Sequence, residues 1–350
     1  MEIDRRPLER PRAGRAHRSE RFVDIIAQTL AAAGTNLLQP AVLFFALGVL
    51  AALARSDLAL PREAAKTLSL VLMLCIGFKG GVEARAHGLD ADFLKAAGLG
   101  LALSAIMPLP AYFLLRRAGL NTVTAAATAA HYGSVSVVTF AAGQSYLTSI
   151  NQAPGGYMSA VLALMETPAL LTAIAIAVFS DRKGADRPPI GRLTHEVLLN
   201  AASVILVGSF LIGLLTGPAG GAKLAVFSGP VFQGVLCLFL LDLGAKAGRH
   251  LANARGMDGR VLAMGLVLPI LGGATGLAVG RLAGLEAGDL AALAVLAGSA
   301  SYIAAPAAMG LALPKADAGI YLTLSLGVTF PFNLALGIPL YSLAAQWLAV

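Results

Sequence analysis

HYGSVSVVTF at residues 131–140 and GSASYIAAPAAMGLALP at residues 298–314 are the two places where a short run of glycine and serine interrupts a long apolar segment. The patches Gly133-Ser134-Val135-Ser136 and Gly298-Ser299-Ala300-Ser301 recur at a fixed spacing, since 298 minus 133 is 165. A helix broken at bilayer depth exposes backbone groups that lipid cannot satisfy, so such breaks persist where they line a cavity for an ion or substrate. Two of them, equivalently placed, point to a secondary transporter. Gly-Ser runs also let membrane helices pack closely, and that alternative stands beside the binding-site reading.

The rest of the chain fits a membrane setting. Its 350 residues are 57% hydrophobic and 13% charged, with a mean hydropathy of +0.76. A soluble domain carries about 25% charged residues, so a soluble globule is excluded. The net charge of +7 gathers in short loops beside apolar runs, which is a topology signal and not a nucleic-acid surface. Cys75 and Cys237 sit in apolar stretches without metal or redox spacing and read as packing residues. No His-Glu-x-x-His, Gly-x-Ser-x-Gly or metal-ligand cluster falls at membrane depth, so neither an enzyme nor a cofactor is expected. Residues 1–22, rich in arginine from Arg5 to Arg21, read as a disordered basic tail rather than a signal peptide, because Asp24 and Gln28 interrupt the next segment.

Runs of roughly 20 apolar residues suffice to span a hydrocarbon core. They predict an all-α membrane protein with ten spans, at 38–54, 64–84, 93–115, 122–146, 157–179, 195–215, 229–248, 260–282, 287–312 and 317–348. The last is overlong and is expected to begin as a loop or interfacial turn. The polar segment DRKGADRPPIGR at 181–192 divides the chain into repeats at 23–180 and 194–350, joined by a 181–193 linker. Sliding the halves together aligns Gly143 with Gly310, Tyr157 with Tyr321 and Pro168 with Pro331, at offsets between 163 and 167. Lys79 falls near Asp242 and Lys246 at a similar offset. Apolar bias inflates such matches, but several in order favour a repeat. Five spans per repeat is an odd number, so the repeats are expected to be inverted, with discontinuous helices at spans four and nine. Loops carrying Arg62 and Lys66, Arg116 and Arg117, Arg182 and Lys183, Arg249 and Arg260, and Lys315 fall on one side. The positive-inside rule makes that side, and the 181–192 linker, cytoplasmic and puts both termini outside. The arginine-rich tail argues the other way.

Within span four, a helix from about Asn121 is expected to end near His131-Tyr132, with Gly133 supplying unusual backbone angles and Ser134 or Ser136 capping a second half-helix through Thr139. Span nine repeats the arrangement with Ser299, Ser301 and Pro306. Half-helix N-termini carry free N–H groups and partial positive charge, so two that meet at the midplane could clamp one small anion. Glu166, before the Thr167-Pro168 step, offers a carboxylate beside a freed carbonyl, as a sodium site would need; it could equally be a hydrogen-bonded or protonated buried acid. Lys79, with Glu83 four residues on, is a functional candidate by its depth or an ion pair that snorkels. Asp242 and Lys246 read as an internal pair. His131 reads as a hydrogen-bonded helix end with a secondary claim to proton coupling. Tyr321, Tyr341 and Trp347 read as an interfacial aromatic belt.

With GFKGG at 77–81, MSAVLALMETPALLTAIAI at 158–176 and the two interrupted segments in this order, the sequence resembles the sodium-dependent bicarbonate transporter family of cyanobacteria and other bacteria. The resemblance implies sodium-driven bicarbonate uptake by a homotrimer of ten-helix subunits, often regulated by a small PII-like protein docking from the cytoplasm. It implies substrate positions at Gly133, Ser134, Ser136, Ser299, Ala300 and Ser301, and coupling or gating candidates at Glu166, Thr139, Tyr302 and Lys79. The chain departs from the cyanobacterial pattern, which has an aspartate where this sequence has Tyr302; losing that carboxylate would weaken a sodium site or change the coupling ion. The alternatives are another small anion such as a carboxylate, coupled to sodium or protons, and a membrane anion sensor, for which the short loops leave little room.

Overall fold

The computed structural model describes residue 34 and residues 37–88, 91–180 and 201–349, and its regular structure is helical throughout the described residues. The basic tail at 1–22 and the linker at 181–193 lie outside them. The helices are α1 (Pro40–Leu53), α2 (Arg62–His87), α3 (Ala91–Arg117), α4 (Thr122–Gly133), α5 (Val137–Ser149), α6 (Met158–Phe179), α7 (Ala201–Lys223), α8 (Phe232–Asn253), α9 (Gly259–Leu282), α10 (Ala287–Ala297), α11 (Ala304–Ala312) and α12 (Ala318–Ala349). Seven of the described helices are long and apolar enough to cross a membrane, and Pro40–Leu53 and Ala287–Ala297 are shorter apolar ones. Large side chains such as Leu50, Phe113, Leu215 and Leu282 are more than half exposed, as on a surface that meets lipid instead of water.

Local chemistry sets the ends. Pro40 opens α1 at a position whose N–H has no intrahelical partner to lose. Asn121 caps α4 through its side chain, which accepts from Thr124 N at 2.8 Å, and Asp317 caps α12 by accepting from Gly319 N at 2.8 Å. The described part of α7 kinks at Gly217, where φ is 57°, followed by Pro218, close to the expected end of span six at 215.

Two glycine-lined crossings hold α1, α2, α7 and α8 together. At Gly48 of α1 an added methyl would strike the carbonyl of Leu241, and at Gly244 of α8 it would strike that of Phe45. Gly81 of α2 and Gly213 of α7 face each other's helix in the same way, against the carbonyls of Phe210 and Phe78. Close backbone approach of this kind is how membrane helices gain packing energy without a hydrophobic drive between them. In the remaining bundle α3 and α4 pack on α6, and α10 packs on α9 and α12.

Span ten corrects an expectation. Residues 317–348 do not begin as a loop; Ala318–Ala349 is one helix that absorbs its excess length in π-helical turns at Thr323–Thr329 and Asn333–Gly337. Wider turns fit more residues into the same rise, and they occur often where a helix serves a site.

Candidate functional site

At the first break α4 runs through Gly133 and the chain turns extended at Ser134 (φ −79°, ψ 162°). Gly133 does not have the positive φ expected of it. Its missing side chain matters for packing instead, because a Cβ there would sit 2.5 Å from Pro108 Cγ and 2.7 Å from Ala169 Cβ. Ser136 is the N-cap of α5 and accepts from Thr139 N at 3.1 Å. Ser134 does not cap α5; it is the C-cap of α4, and its hydroxyl donates to the carbonyl of Glu166 at 3.0 Å. That carbonyl belongs to the discontinuity before Pro168, which lacks the N–H that would continue the ladder. Ser104 bridges the same step, donating to Met165 O at 2.6 Å and accepting from Ala169 N at 3.2 Å.

The second break begins at Gly298, the C-cap of α10. Ser299 donates to Leu296 O at 2.8 Å, and Ser301 accepts from Ala305 N at 3.2 Å in the first turn of α11. Pro306 lies in that turn as expected, where no intrahelical bond is lost. From α12, Asn333 Nδ2 donates to Gly298 O at 2.9 Å, and Tyr341 Oη donates to Pro269 O at 2.9 Å. Thr329 links Tyr132 Oη, at 2.8 Å, to Gly265 O, at 2.6 Å. The sequence reading passed over Asn333 and Thr329. Their signal was an amide and a hydroxyl inside the apolar run VTFPFNLALG, costly in a membrane unless bonded.

The breaks touch. Ser136 N donates to Ser299 Oγ at 2.9 Å, and Ser301 N donates to His131 O at 2.8 Å. Ser134, Ser136, Ser299, Ala300, Ser301 and Thr139 are all buried, none more than 3% exposed. The hydroxyls are not equivalent. Ser134 and Ser299 have committed their protons to carbonyls, whereas Ser136 and Ser301 act as acceptors for amides and keep a proton to donate. The first N–H groups of α5 and α11 add the positive end of two helix dipoles.

Other candidates fall around this crossing or away from it. Glu166 is buried, 2% exposed, and touches the first break through its main chain. His131 Nδ1 bonds Ala127 O at 2.7 Å and the ring stacks on Tyr321 at 4.4 Å. Tyr321 and Tyr341 are therefore core residues and not part of an aromatic belt; each is under 5% exposed, because its ring fills a gap at the breaks. Trp347 is 46% exposed. Lys79 stands apart from the crossing, 3.8 Å from Glu83, in a cavity of about 160 Å³ with Gln144, Ser145, Thr148 and Gln233. Lys246 does pair with Asp242, at 2.5 Å, and Asp242 also accepts from Leu60 N at 3.2 Å. A second cavity, of about 960 Å³, has Arg62, Lys66, Lys246 and His250 on one flank and Tyr302, Ala304 and Pro306 on the other.

Comparison with known proteins bears on this arrangement. The model of the Na+-dependent bicarbonate transporter superfamily matches residues 40–346. No curated protein matches the chain.

Proposed function

The chain belongs to the Na+-dependent bicarbonate transporter superfamily, which makes it a multi-pass membrane transporter and not an enzyme, and from that premise we propose that it takes up bicarbonate with sodium by alternating access. The observation that carries this reading is the direct contact of the two breaks, Ser136 N to Ser299 Oγ and Ser301 N to His131 O. Two half-helix starts, α5 and α11, converge with donor groups and no cationic side chain, a fit for a small monoanion. Gly133 and Ala300 serve by leaving room, Ser134 and Ser299 by fixing the breaks, Ser136 and Ser301 by donating. Sodium, as co-transported substrate, would take oxygen ligands from Glu166 and the carbonyls loosened by Pro168, with Thr139 one turn into α5.

Ten helices in two inverted five-helix repeats are part of this reading. The glycine crossings support it: 213 minus 48 is 165 and 244 minus 81 is 163, so exchanging the repeats turns the Gly48–Gly244 contact into the Gly213–Gly81 contact. Both cavities lie between the α1-α2-α7-α8 group and the bundle carrying the breaks, where rocking of one group against the other would open each in turn. With Arg62, Lys66 and the 181–192 linker cytoplasmic in a bacterial inner membrane, and the termini periplasmic, the larger cavity is the inward one. The homotrimer and the PII-like partner rest on the family resemblance alone.

The test is uptake of labelled bicarbonate into proteoliposomes containing only this protein, with and without an inward sodium gradient. Sodium-stimulated uptake is expected, and its absence in folded protein would sink the reading. A second cargo, a small carboxylate with sodium or proton coupling, is favoured by the apolar residues Leu243, Leu311 and Leu326 in the larger cavity. Displacement of bicarbonate by acetate or propionate would select it.

A further inference from the structure

Tyr302 combines three features that the reading above does not use. It is 8% exposed, and its hydroxyl is buried with no hydrogen-bond partner among the described residues. That hydroxyl faces the Ser136 side chain, outside hydrogen-bonding geometry, while the ring is held edge-on to Phe330 at 5.1 Å. The same residue lines the 960 Å³ cavity, immediately before the first turn of α11. Arg62 and Lys66, also in the lining, are exposed, as are Ala307 and Leu311, so two basic side chains stand on the open side of the cavity, and Tyr302 is among its buried lining residues. A buried O–H whose polar neighbour, the Ser136 hydroxyl, makes no well-formed hydrogen bond with it keeps most of its desolvation penalty, and an oxyanion would repay it with a charge-assisted bond.

Resting on the proposed transport of a small anion through the crossed breaks, we propose that Tyr302 is a substrate-contacting, specificity-determining residue. Its phenol donates to an oxygen of a planar oxyanion of the bicarbonate or carboxylate class held at the start of α11, and the anion reaches it through this cavity. The phenol adds a donor without adding charge. A carboxylate at 302 would face the anion with like charge unless a cation sat between them, so the side chain here sets whether anion binding at this end needs a metal ion.

The test uses the full chain with Cys75 and Cys237 replaced by serine and Ala304→Cys introduced as a probe in the cavity lining. Labelling by a membrane-impermeant thiol reagent is followed against bicarbonate concentration, in sodium buffer, on monodisperse purified protein. Bicarbonate is expected to slow labelling, and Tyr302→Phe to raise the half-protecting concentration about tenfold, the weight of one hydrogen bond to a charged group. Tyr302→His, which restores a ring donor, is expected to recover part of the loss. Protection unchanged in Tyr302→Phe makes the tyrosine a packing residue and overturns the proposal while leaving the site intact. Absence of protection with Tyr302 in place overturns the site itself, and this proposal with it. A reagent that never reaches Ala304→Cys overturns the route.

Discussion

The two breaks share a sequence pattern and differ in how they are held. The first is supported by apolar contact and by bonds to other helices: Gly133 lies against the Pro108 ring, Ser134 is tied to the Glu166 carbonyl, and Tyr132 just before it meets Thr329 of α12 at 2.8 Å. The second is pinned from one long helix by a polar side chain, Asn333 on Gly298 O, and its following turn borders the larger cavity. A break enclosed by packing has one arrangement at low energy, because dense cores tolerate little displacement. A break held by a few hydrogen bonds beside open space can rearrange. Under the proposed function, the first break would fix the site and the second admit the cargo.

The largest effect should come from filling the glycines. Gly133→Val forces methyls into Pro108 and Ala169, neither of which has a flexible end to yield, so a loss of about 3 kcal/mol is expected from overpacking. Little folded protein should be recovered by size-exclusion chromatography. At Gly298 the overlaps are shallower: Tyr341 Oη at 2.8 Å, which can swing, and the backbone oxygens of Pro269 and Ala294 at 2.9 and 3.0 Å, which cannot. Gly298→Val should therefore yield more folded protein than Gly133→Val, with uptake abolished. Equal yields would remove the distinction between the breaks.

Next in size is the removal of a pin. Asn333→Leu strips the donor from a buried carbonyl and should cost about 2 kcal/mol, against about 1 kcal/mol for Ser134→Ala. Thermal unfolding in detergent would measure both. Tyr341→Phe, which loses one bond and keeps its ring, should fall at or below the Ser134→Ala value. A larger shift for Ser134→Ala than for Asn333→Leu would reverse which break depends on polar support.

Much of this architecture was legible because membrane helices announce themselves by length. The interrupted segments also announced themselves, since Ser136 and Pro306 carry ordinary capping and first-turn signals. Four things were not legible. Gly133 was read for backbone freedom because a sequence reports the residue and not its neighbours; only the fold brings Pro108 and Ala169 against it. The overlong span ten was read as loop plus helix because π turns have no composition signal, and the residues that exploit them, Thr329 and Asn333, are isolated polar positions. Tyr321 and Tyr341 read from sequence as interfacial residues because a tyrosine near an apolar run suits a headgroup belt as well as a core. The four serines looked alike, and the fold separates them by the partner each has found.

That separation gives the finest prediction. Ser136→Ala removes the cap of α5 and Ser301→Ala the acceptor for Ala305 N in the first turn of α11, each worth about 1 kcal/mol, and each also removes a hydroxyl proton that no carbonyl has claimed. Ser134→Ala and Ser299→Ala remove protons already given to Glu166 O and Leu296 O. Stability alone would rank the four similarly. Substrate contact would not: the KM for bicarbonate uptake should rise about tenfold in Ser136→Ala and Ser301→Ala, as for one lost charge-assisted bond. Ser134→Ala should keep its KM and lose only protein stability. Ser299→Ala should fall between, because it also takes away the acceptor for Ser136 N and so loosens the contact between the breaks. An equal rise in all four would mean that the hydroxyls respond to the anion as a set, and that the bonds of the resting crossing give way when cargo binds. A rise confined to Ser301→Ala, the one nearer the cavity, would put the binding energy on the second break and leave the first as its frame.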